Sequence, residues 1–458
     1  MRELDQWLAP FLAALSRPEQ RRWAPLYLRG LLLPGERKSV EPMAARVAPG
    51  EVQQLHHFVS ASPWAAAPLE AELVRAADRL VGGADAVLVV DDTALVKQGD
   101  HSVGVQRQYC GELGKKANCQ ALVSLTLARG EVPVCVGLRL FLPERWAGDT
   151  ERRRRAGVPG EVAGRPKWRI ALDEIDRVLA AGARFGCVLG DAEYGKAAEF
   201  RRGLTERGLT WALGIGPTQK VYPVDVTLVP AQRRPTGRPA KHPVPSAPSV
   251  EAAKLFASMP RRAFRSLSWR RGTKGPLKAR FAAVRVRVAD GPVAARARHL
   301  PGDEAWLVCE ERAAGERKVY LANHPVGTPL RELAAAIKAR WVCEQMHQQI
   351  KNELGLDHFE GRSWRGLHHH ALLCQLAYAF LQRLRLGGKT RGPAPRRRPA
   401  ARTVFARGEA APHGAPRAPR PMSRMWPPTA APPPIVRPRP PGRRGAKSAG
   451  APAAATET

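Results

Sequence analysis

The order of strand and helix patterns between residues 86 and 215 constrains the fold more than any other feature of the sequence. Residues 87–90 are a continuous apolar run, as expected of a strand buried on both faces. Two more strand patterns follow at 119–127 and 132–142. Helix and strand patterns then alternate at 168–181, 186–190, 196–207 and 210–215. We therefore predict an α/β fold whose sheet begins antiparallel and ends parallel.

This order of elements is that of a ribonuclease H-like mixed sheet. Asp92 follows the first buried run, and Asp191 follows the strand pattern at 186–190. Open α/β sheets bind their ligands at the carboxyl ends of the strands. The two carboxylates are therefore expected to lie close together, at a functional site.

Changes in residue pattern divide the chain into five predicted segments. Residues 1–83 are predicted to form an N-terminal helical domain, because apolar residues there recur at spacings of three and four. We expect this domain to bind DNA. Residues 84–216 and 329–386 are the two parts of the α/β core, and the second part carries a long helix. Between them, residues 217–328 lose the alternation and show short strand patterns, which predicts a β-rich insertion. Residues 387–458 form a tail.

The net charge of +33 favours a polyanionic partner, most simply nucleic acid. A hydrophobic content of 44% provides enough apolar surface for a large core and excludes a wholly disordered basic protein. The tail at 387–458 holds 15 Lys and Arg residues, two acidic residues and 16 of the 42 prolines. That composition predicts disorder. Two roles for the tail stay open: attachment to DNA, and a linker without a function.

Cysteine usage and the N-terminus predict a protein of the cell interior. The seven cysteines include no pair at CxxC spacing, which indicates reduced thiols rather than a disulfide or zinc framework. Glu3 and Asp5 stand where a signal peptide would be basic and then apolar. The apolar stretch at 371–381 is far shorter than the ~20 residues that span a membrane. We therefore expect no membrane association.

Three acids from different elements make up the candidate catalytic site: Asp92, Asp191 and Glu344. Two-metal phosphodiester cleavage requires carboxylates that converge on two ions about 3.5–4 Å apart. Arg340 and Lys351 lie four residues before and seven after Glu344, so all three are predicted to share one helix face. The alternatives are ordinary ones: acids that cap helices, and a solvated face of ion pairs.

The same residues carry a resemblance to the DDE transposases of bacterial insertion sequences, nearest the family numbered seven hundred and one, which is related to the number-four family. The number-four families carry a tyrosine, two residues, an arginine, three residues, a glutamate, six residues and a lysine. Arg340, Glu344 and Lys351 match this spacing, whereas Ile337 replaces the tyrosine. Further matches lie at 90–93, 102–111, 114–115, 118–120, 142–146, 190–195 and 355–358. The resemblance covers about residues 18–386.

The resemblance implies a DNA-cleaving and strand-transfer enzyme. It assigns the first metal ligand to Asp92 rather than Asp91, and the others to Asp191 and Glu344. The ligands would hold two Mg²⁺ ions, with Mn²⁺ as a substitute. Arg340 and Lys351 would position phosphates of double-stranded DNA, both the terminal inverted repeats and the target. The implied setting is the bacterial cytoplasm, at the nucleoid when bound to DNA, with a homodimer in the synaptic complex.

Further DNA contacts are predicted in two places. Arg107 and Lys115 lie in a basic, glycine-bearing segment at 106–116, which either grips DNA or turns the chain. Trp269 is flanked by arginine residues and either stacks on an unpaired base or packs in the core. The histidines at 368–370, with Cys343 and His347, lack the spacing of a structural zinc site.

The predicted function is Mg²⁺-dependent cleavage of DNA at element ends, followed by strand transfer. Two alternatives remain at this point: a catalytically degenerate remnant that only binds DNA, and a ribonuclease H-like nuclease without strand transfer. Binding to DNA is expected to weaken steeply with salt, because phosphate contacts release counterions.

Overall fold

The computed structural model describes residues 2–230, 243–272, 275–294 and 298–388. The tail predicted to be disordered therefore lies outside the described residues, apart from Gly387 and Gly388 at its start, which end the last helix.

The N-terminal part is helical. Leu4, Trp7, Leu8 and Phe11 are buried along one face of the first helix, as their spacing predicts. Its five helices are α1 (Arg2–Ala13), α2 (Pro18–Leu32), α3 (Val40–Val47), α4 (Val52–Ser60) and α5 (Ala66–Val81). Whether this part acts as a separate DNA-binding domain stays a prediction.

A mixed sheet follows the helices. Its first four strands are β1 (Val87–Val96), β2 (Gln106–Cys110), β3 (Lys115–Arg129) and β4 (Val132–Leu140). The chain then continues through α6 (Glu144–Ala147), α7 (Thr150–Arg155), α8 (Lys167–Ala180), β5 (Cys187–Gly190), α9 (Ala192–Gly195), α10 (Ala198–Glu206) and β6 (Trp211–Ile215).

The strand order in this part is β4-β3-β1-β5-β6. The strand β1 pairs with β3 antiparallel and with β5 parallel, and β5 pairs with β6 parallel. The prediction of an antiparallel start and a parallel finish is therefore confirmed, and the molecule has a mixed α/β fold with a large central sheet.

The strand β1 is longer than the apolar run at 87–90 predicts. It continues to Val96 because β3 pairs with it over ten residues, from Val87 opposite Ala128 to Val96 opposite Cys119. Asp91 and Asp92 therefore lie inside the strand, whereas the sequence places them after its end. The strand β5 stops at Gly190, so no described strand pairs with residues 91–96 of β1 on that side.

The described residues between 220 and 322 add further strands to the same sheet and also form two separate two-stranded sheets. The strand β16 pairs with β6 antiparallel, with Leu321 opposite Leu213. This pairing joins the later strands to the strands β1–β6. The elements are β7 (Lys220–Pro223), β8 (Leu228–Val229), β9 (Val244–Pro245), β10 (Val250–Glu251), α11 (Ala252–Ser258), β11 (Arg265–Gly272), β12 (Gly275–Val288), β13 (Val293–Ala294), β14 (Arg298–His299), β15 (Glu304–Glu311) and β16 (Arg317–Ala322). The segment is rich in strands, whereas its limits as a domain stay a prediction.

Three helices close the described chain: α12 (Leu330–Ala339), α13 (Trp341–Asn352) and α14 (Trp364–Gly388). The sequence predicts a single helix over about 329–354, but the structure divides it at Arg340, between α12 and α13. The helix α14 is buried over most of its length and packs on α2, α4, α5 and β4. It thereby connects the N-terminal helices with the sheet.

The close approach of α9 to β6 gives the first testable prediction. A Cβ atom on Gly195 would lie 1.8 Å from the carbonyl oxygen of Gly214, so only glycine fits there. We expect Gly195→Ala to destabilise the protein by about 1–3 kcal/mol, the usual cost of overpacking. The shift of the denaturant midpoint measures this effect. Gly160→Ala is the matched control, because nothing lies within 4 Å of its Cβ position. Equal midpoints for the two variants would contradict the packing argument.

Candidate active site

Asp91 and Asp92 face opposite sides of the sheet. They are neighbours in β1, where Asp91 lies opposite Ser124 and Asp92 opposite Val123. Successive side chains of a strand point to opposite faces. The two carboxylates therefore meet different groups of residues.

Asp91 faces the helix α13. Its Oδ2 accepts a hydrogen bond of 2.6 Å from Nη1 of Arg340, and Nη2 of the same guanidinium donates to Oε1 of Glu344. Burial, together with the negative charge of Asp191, raises the pKa of Asp91 to about 6 against the opposing charge of Arg340. Arg340 thus connects β1 to Glu344, whose side chain is 63% exposed.

A second group of polar side chains lies behind Asp91. The possible ligand atoms of Asp91, Cys343 and His347 lie within 4.8 Å of one another. Oγ of Ser124 donates to the carbonyl oxygen of Asp91 at 3.1 Å and lies 2.7 Å from Nε2 of His347. The Ser124 hydroxyl therefore connects the backbone of β1 to the ring of His347. Burial lowers the pKa of His347 to about 3, so the ring is neutral.

The donors in this group differ from those of a magnesium site. A thiol and an imidazole beside one carboxylate suit zinc, whereas Mg²⁺ takes oxygen ligands and keeps several waters. Cys343 and His347 are both buried. For an ion of the magnesium type, the fitting donors in this region are the carboxylates of Asp91, Asp92, Asp191 and Glu344.

Asp92 faces Lys167 and Tyr194. The hydroxyl of Tyr194 donates to Oδ1 of Asp92 at 2.5 Å, and Nζ of Lys167 donates to Oδ2. The same ammonium group lies 3.1 Å from Oε1 of Glu193. Burial raises the pKa of Asp92, although the charge of Lys167 opposes the shift. An internal cation therefore sits between two carboxylates on this face.

Asp191 lies directly after β5, as the sequence predicts, and begins the helix α9. Its Oδ1 accepts hydrogen bonds from the backbone N–H groups of Glu193 at 2.9 Å and Tyr194 at 3.4 Å. It is therefore a helix-capping residue in this structure. Because Tyr194 also contacts Asp92, the turn after β5 is connected to β1.

Lys351 lies apart from the Arg340–Glu344 pair. Its ammonium group donates to Oε2 of Glu112 at 2.7 Å, and its side chain is largely buried. Glu112 belongs to the turn between β2 and β3. Arg340 and Glu344 are therefore in direct contact, whereas Lys351 contacts Glu112, and a shared role for the three residues stays a prediction.

The other predicted DNA contacts lie in two places. Arg107 and Lys115 are exposed on β2 and at the start of β3. Trp269, on β11, is half-buried, with its ring edge-on to Phe281 at 5.9 Å and the ammonium of Lys338 4.5 Å away. These contacts of Trp269 are those of a packed residue. The DNA-binding roles stay predictions.

Lys167 and Ser124 were missed by the sequence analysis. Lys167 lies at the start of α8 after Pro166, and Ser124 lies within a buried strand. Neither position has a motif of its own. Their contacts join residues 75 and 223 positions apart, Lys167 with Asp92 and Ser124 with His347. Tyr194, in contrast, lies inside the matched motif at 190–195 and could have been found there.

Comparison with known protein families shows which family the chain belongs to. A family model described as DDE superfamily endonuclease matches residues 10–276, more than half of the 458 residues. The chain belongs to this family. Endonucleases of the DDE superfamily generally use divalent metal ions, which agrees with a site rich in carboxylates. The resemblance found in the sequence is thereby confirmed.

Two individual proteins are similar to the chain. A probable transposase for insertion sequence element IS701 from Microchaete diplosiphon is 29% identical over 181 residues, which are 39% of this chain and 45% of that protein. The match therefore spans less than half the length of that relative. A cryo-EM structure of the piggyBac transposase synaptic complex with hairpin DNA has a TM-score of 0.39 and 10% identity, over 86% of this chain and 74% of the other.

Within the ranges that the structure describes, every helix is too short or too polar to cross a membrane.

Proposed function

We propose that the chain is a transposase that cuts DNA at the ends of its own element and joins the 3′-hydroxyl ends to target DNA. Membership of the DDE endonucleases supports this proposal, as does the similarity to a probable transposase for IS701. The net charge of +33 fits a DNA substrate. The strand order β4-β3-β1-β5-β6 supports the narrower assignment to a ribonuclease H-like core.

The observation that carries the proposal is that acids from three elements lie around Arg340: its guanidinium binds Asp91 and Glu344, and the charge of Asp191 acts on Asp91. Asp91 and Asp92 come from β1, Asp191 follows β5, and Glu344 comes from α13. In the proposed enzyme Asp92, Asp191 and Glu344 would hold two Mg²⁺ ions, or Mn²⁺ in their place, and the bound ions would supply activation of the attacking oxygen and stabilisation of the leaving oxygen. The protein's own part is to hold these carboxylates rigidly and to position the DNA phosphates.

Asp91 is a second candidate for the role of first acid. Arg340 binds Asp91 and Glu344 together, whereas Asp92 contacts Lys167 and Tyr194 on the other face. The resemblance favours Asp92, and this contact favours Asp91. We assign the metal-binding role to Asp92 and assign to Asp91 the orientation of Arg340.

Arg340 and Lys351 are the proposed phosphate-positioning residues. Each cation is already paired inside the protein, Arg340 with Asp91 and Glu344 and Lys351 with Glu112. A phosphate bound by Arg340 would take the place of a carboxylate partner and keep the charge compensated. Lys351 would bind a phosphate with the ammonium hydrogens that it does not donate to Glu112. We further propose Arg107, Lys115 and Trp269 as DNA contacts, a homodimer in the complex of paired ends, and the bacterial cytoplasm as the location.

A strand-transfer assay tests the function. The purified protein is incubated with Mg²⁺ or Mn²⁺, labelled duplex DNA that carries the element's terminal inverted repeat, and a target plasmid. We expect cleaved ends and joined products, and the same DNA with a scrambled repeat is the control. Cleavage without joining would support the nuclease alternative. Binding without cleavage, also after removal of residues 387–458, would support the degenerate remnant.

A further inference from the structure

The segment at 106–118 is a β-hairpin that projects an exposed aromatic ring. Tyr109 lies opposite Lys116 and Arg107 lies opposite Asn118 in the pairing of β2 with β3. Residues directly opposite each other in an antiparallel pair share a face. Arg107, Tyr109 and Lys116 therefore lie on one side of the hairpin.

Tyr109 is 67% exposed, the most exposed tyrosine of the described chain, and its ring packs on no other aromatic ring there. A single exposed apolar side chain is ordinary on a protein surface. The surroundings of Tyr109, in contrast, are unusual because they are strongly basic. Arg107, Lys115 and Lys116 are exposed as well, and none of them forms an ion pair with a residue that the structure describes.

The hairpin has one acid, Glu112, and that acid is occupied by Lys351. The surface therefore offers uncompensated cations around an aromatic ring. The same ion pair ties the hairpin to α13, the helix that carries Glu344. Seven residues separate Lys351 from Glu344, which is roughly 10 Å along a helix axis. That distance corresponds to about three nucleotides of a DNA strand.

We propose that Tyr109 stacks on an unpaired base of the element-end DNA, and that Arg107 and Lys116 bind the phosphates beside it. The proposal rests on the proposed function, and it adds the surface and the DNA structure that this surface takes. Aromatic side chains bind bases by stacking in any sequence, and cations beside them follow the backbone. Single-stranded DNA fits both features of this surface, because its unpaired bases stack on the ring and its phosphates bind the cations.

Fluorescence binding measurements test the proposal. The probe is a single-stranded oligonucleotide of the element end with 2-aminopurine, and the comparison probe is the fully paired duplex. We expect Tyr109→Ala to weaken single-strand binding by about 5- to 150-fold, since one stacked base contributes about 1–3 kcal/mol. Quenching of 2-aminopurine should be lost as well. Duplex binding should change by less than about threefold, well below the contribution of one stacked base.

Two further variants separate stacking from a general disturbance of the hairpin. Tyr109→Phe keeps the ring, so it should bind the single strand nearly as wild type does. Leu113→Ala, an exposed apolar residue of the same hairpin, is the matched control and should have no effect. Unchanged single-strand binding by Tyr109→Ala, or an equal loss with the duplex, would overturn the stacking proposal alone. Wild-type protein that binds neither DNA would overturn the proposed function as well.

Discussion

Asp191→Asn and Glu344→Gln should lose DNA cleavage by about 10³-fold or more, with little change in DNA binding. Metal ions contribute several kcal/mol to the stabilisation of a phosphoryl transition state, and each 1.36 kcal/mol is a factor of ten in rate. Both substitutions are isosteric and remove only the charge of a proposed metal ligand. The measurements are single-turnover cleavage rates on element-end DNA and affinity by gel shift.

The same measurements on Asp91→Asn and Asp92→Asn test the two neighbouring aspartates, which face opposite sides of the sheet and to which we assign different roles. We expect the full loss of about 10³-fold for Asp92→Asn, because we assign it a metal ion. Asp91→Asn should lose only about 10- to 100-fold, as is usual for a residue that orients another through a hydrogen bond. The opposite ranking would transfer the metal-binding role to Asp91.

An exposed acid remote from these contacts serves as the matched control. Glu206→Gln, at the end of α10, removes one negative charge without touching the site. Its cleavage rate should equal that of wild type. Full cleavage activity in either Asp191→Asn or Glu344→Gln would contradict the proposed catalytic site.

Arg139→Met should produce the largest loss of stability that we predict from a single side chain. Arg139 binds Glu70 through Nη2 and Glu174 through Nε, both at 2.6 Å, and so connects β4 with α5 and α8. Both glutamates are largely buried. Removing one partner of a buried ion pair typically costs about 3–5 kcal/mol, because a buried charge is left without compensation. Denaturant unfolding measures the change.

The effect of Arg139→Met should depend on pH. Burial raises the pKa of Glu174, but the charges of Arg139 and Arg177 outweigh it and hold the pKa below the ordinary value of 4.5. A carboxyl whose folded pKa is lowered stabilises the protein above its unfolded pKa and loses that contribution as the pH falls. The stability difference between wild type and variant should therefore be constant above about pH 4.5 and narrow as the pH falls below that value.

A matched surface variant separates burial from charge in this experiment. Arg75→Met breaks the exposed ion pair with Glu72 in α5. Little change in stability is expected, since water screens such pairs. If Arg139→Met were as stable as Arg75→Met, or if its stability difference were independent of pH, the ionic cluster would not have the role that we assign to it.

The local parts of the fold were predictable from the sequence. The face of α1 follows from spacings of three and four, and the buried strands follow from continuous apolar runs. The position of Asp191 at the end of β5 also follows, because that strand ends where its apolar run ends. These features depend on neighbours within a few residues, and such neighbours are visible in a single sequence.

The length of β1 shows where local patterns become insufficient. Its apolar run covers four residues, but pairing with the long strand β3 extends it through Asp91 and Asp92. The face of each aspartate is decided by that pairing. In the same way the break at Arg340 between α12 and α13 has no local signal such as proline or glycine.

The sequence by itself determined the family, the basic character and the residue types of the site, because motifs and charge are properties of the chain. Only the tertiary structure decided the partners: Arg340 with Asp91, Lys167 with Asp92, and Lys351 with Glu112. The residues of these pairs are 75–249 positions apart. Such contacts depend on which strands pair and which helices cover them, and no pattern of neighbouring residues contains that information.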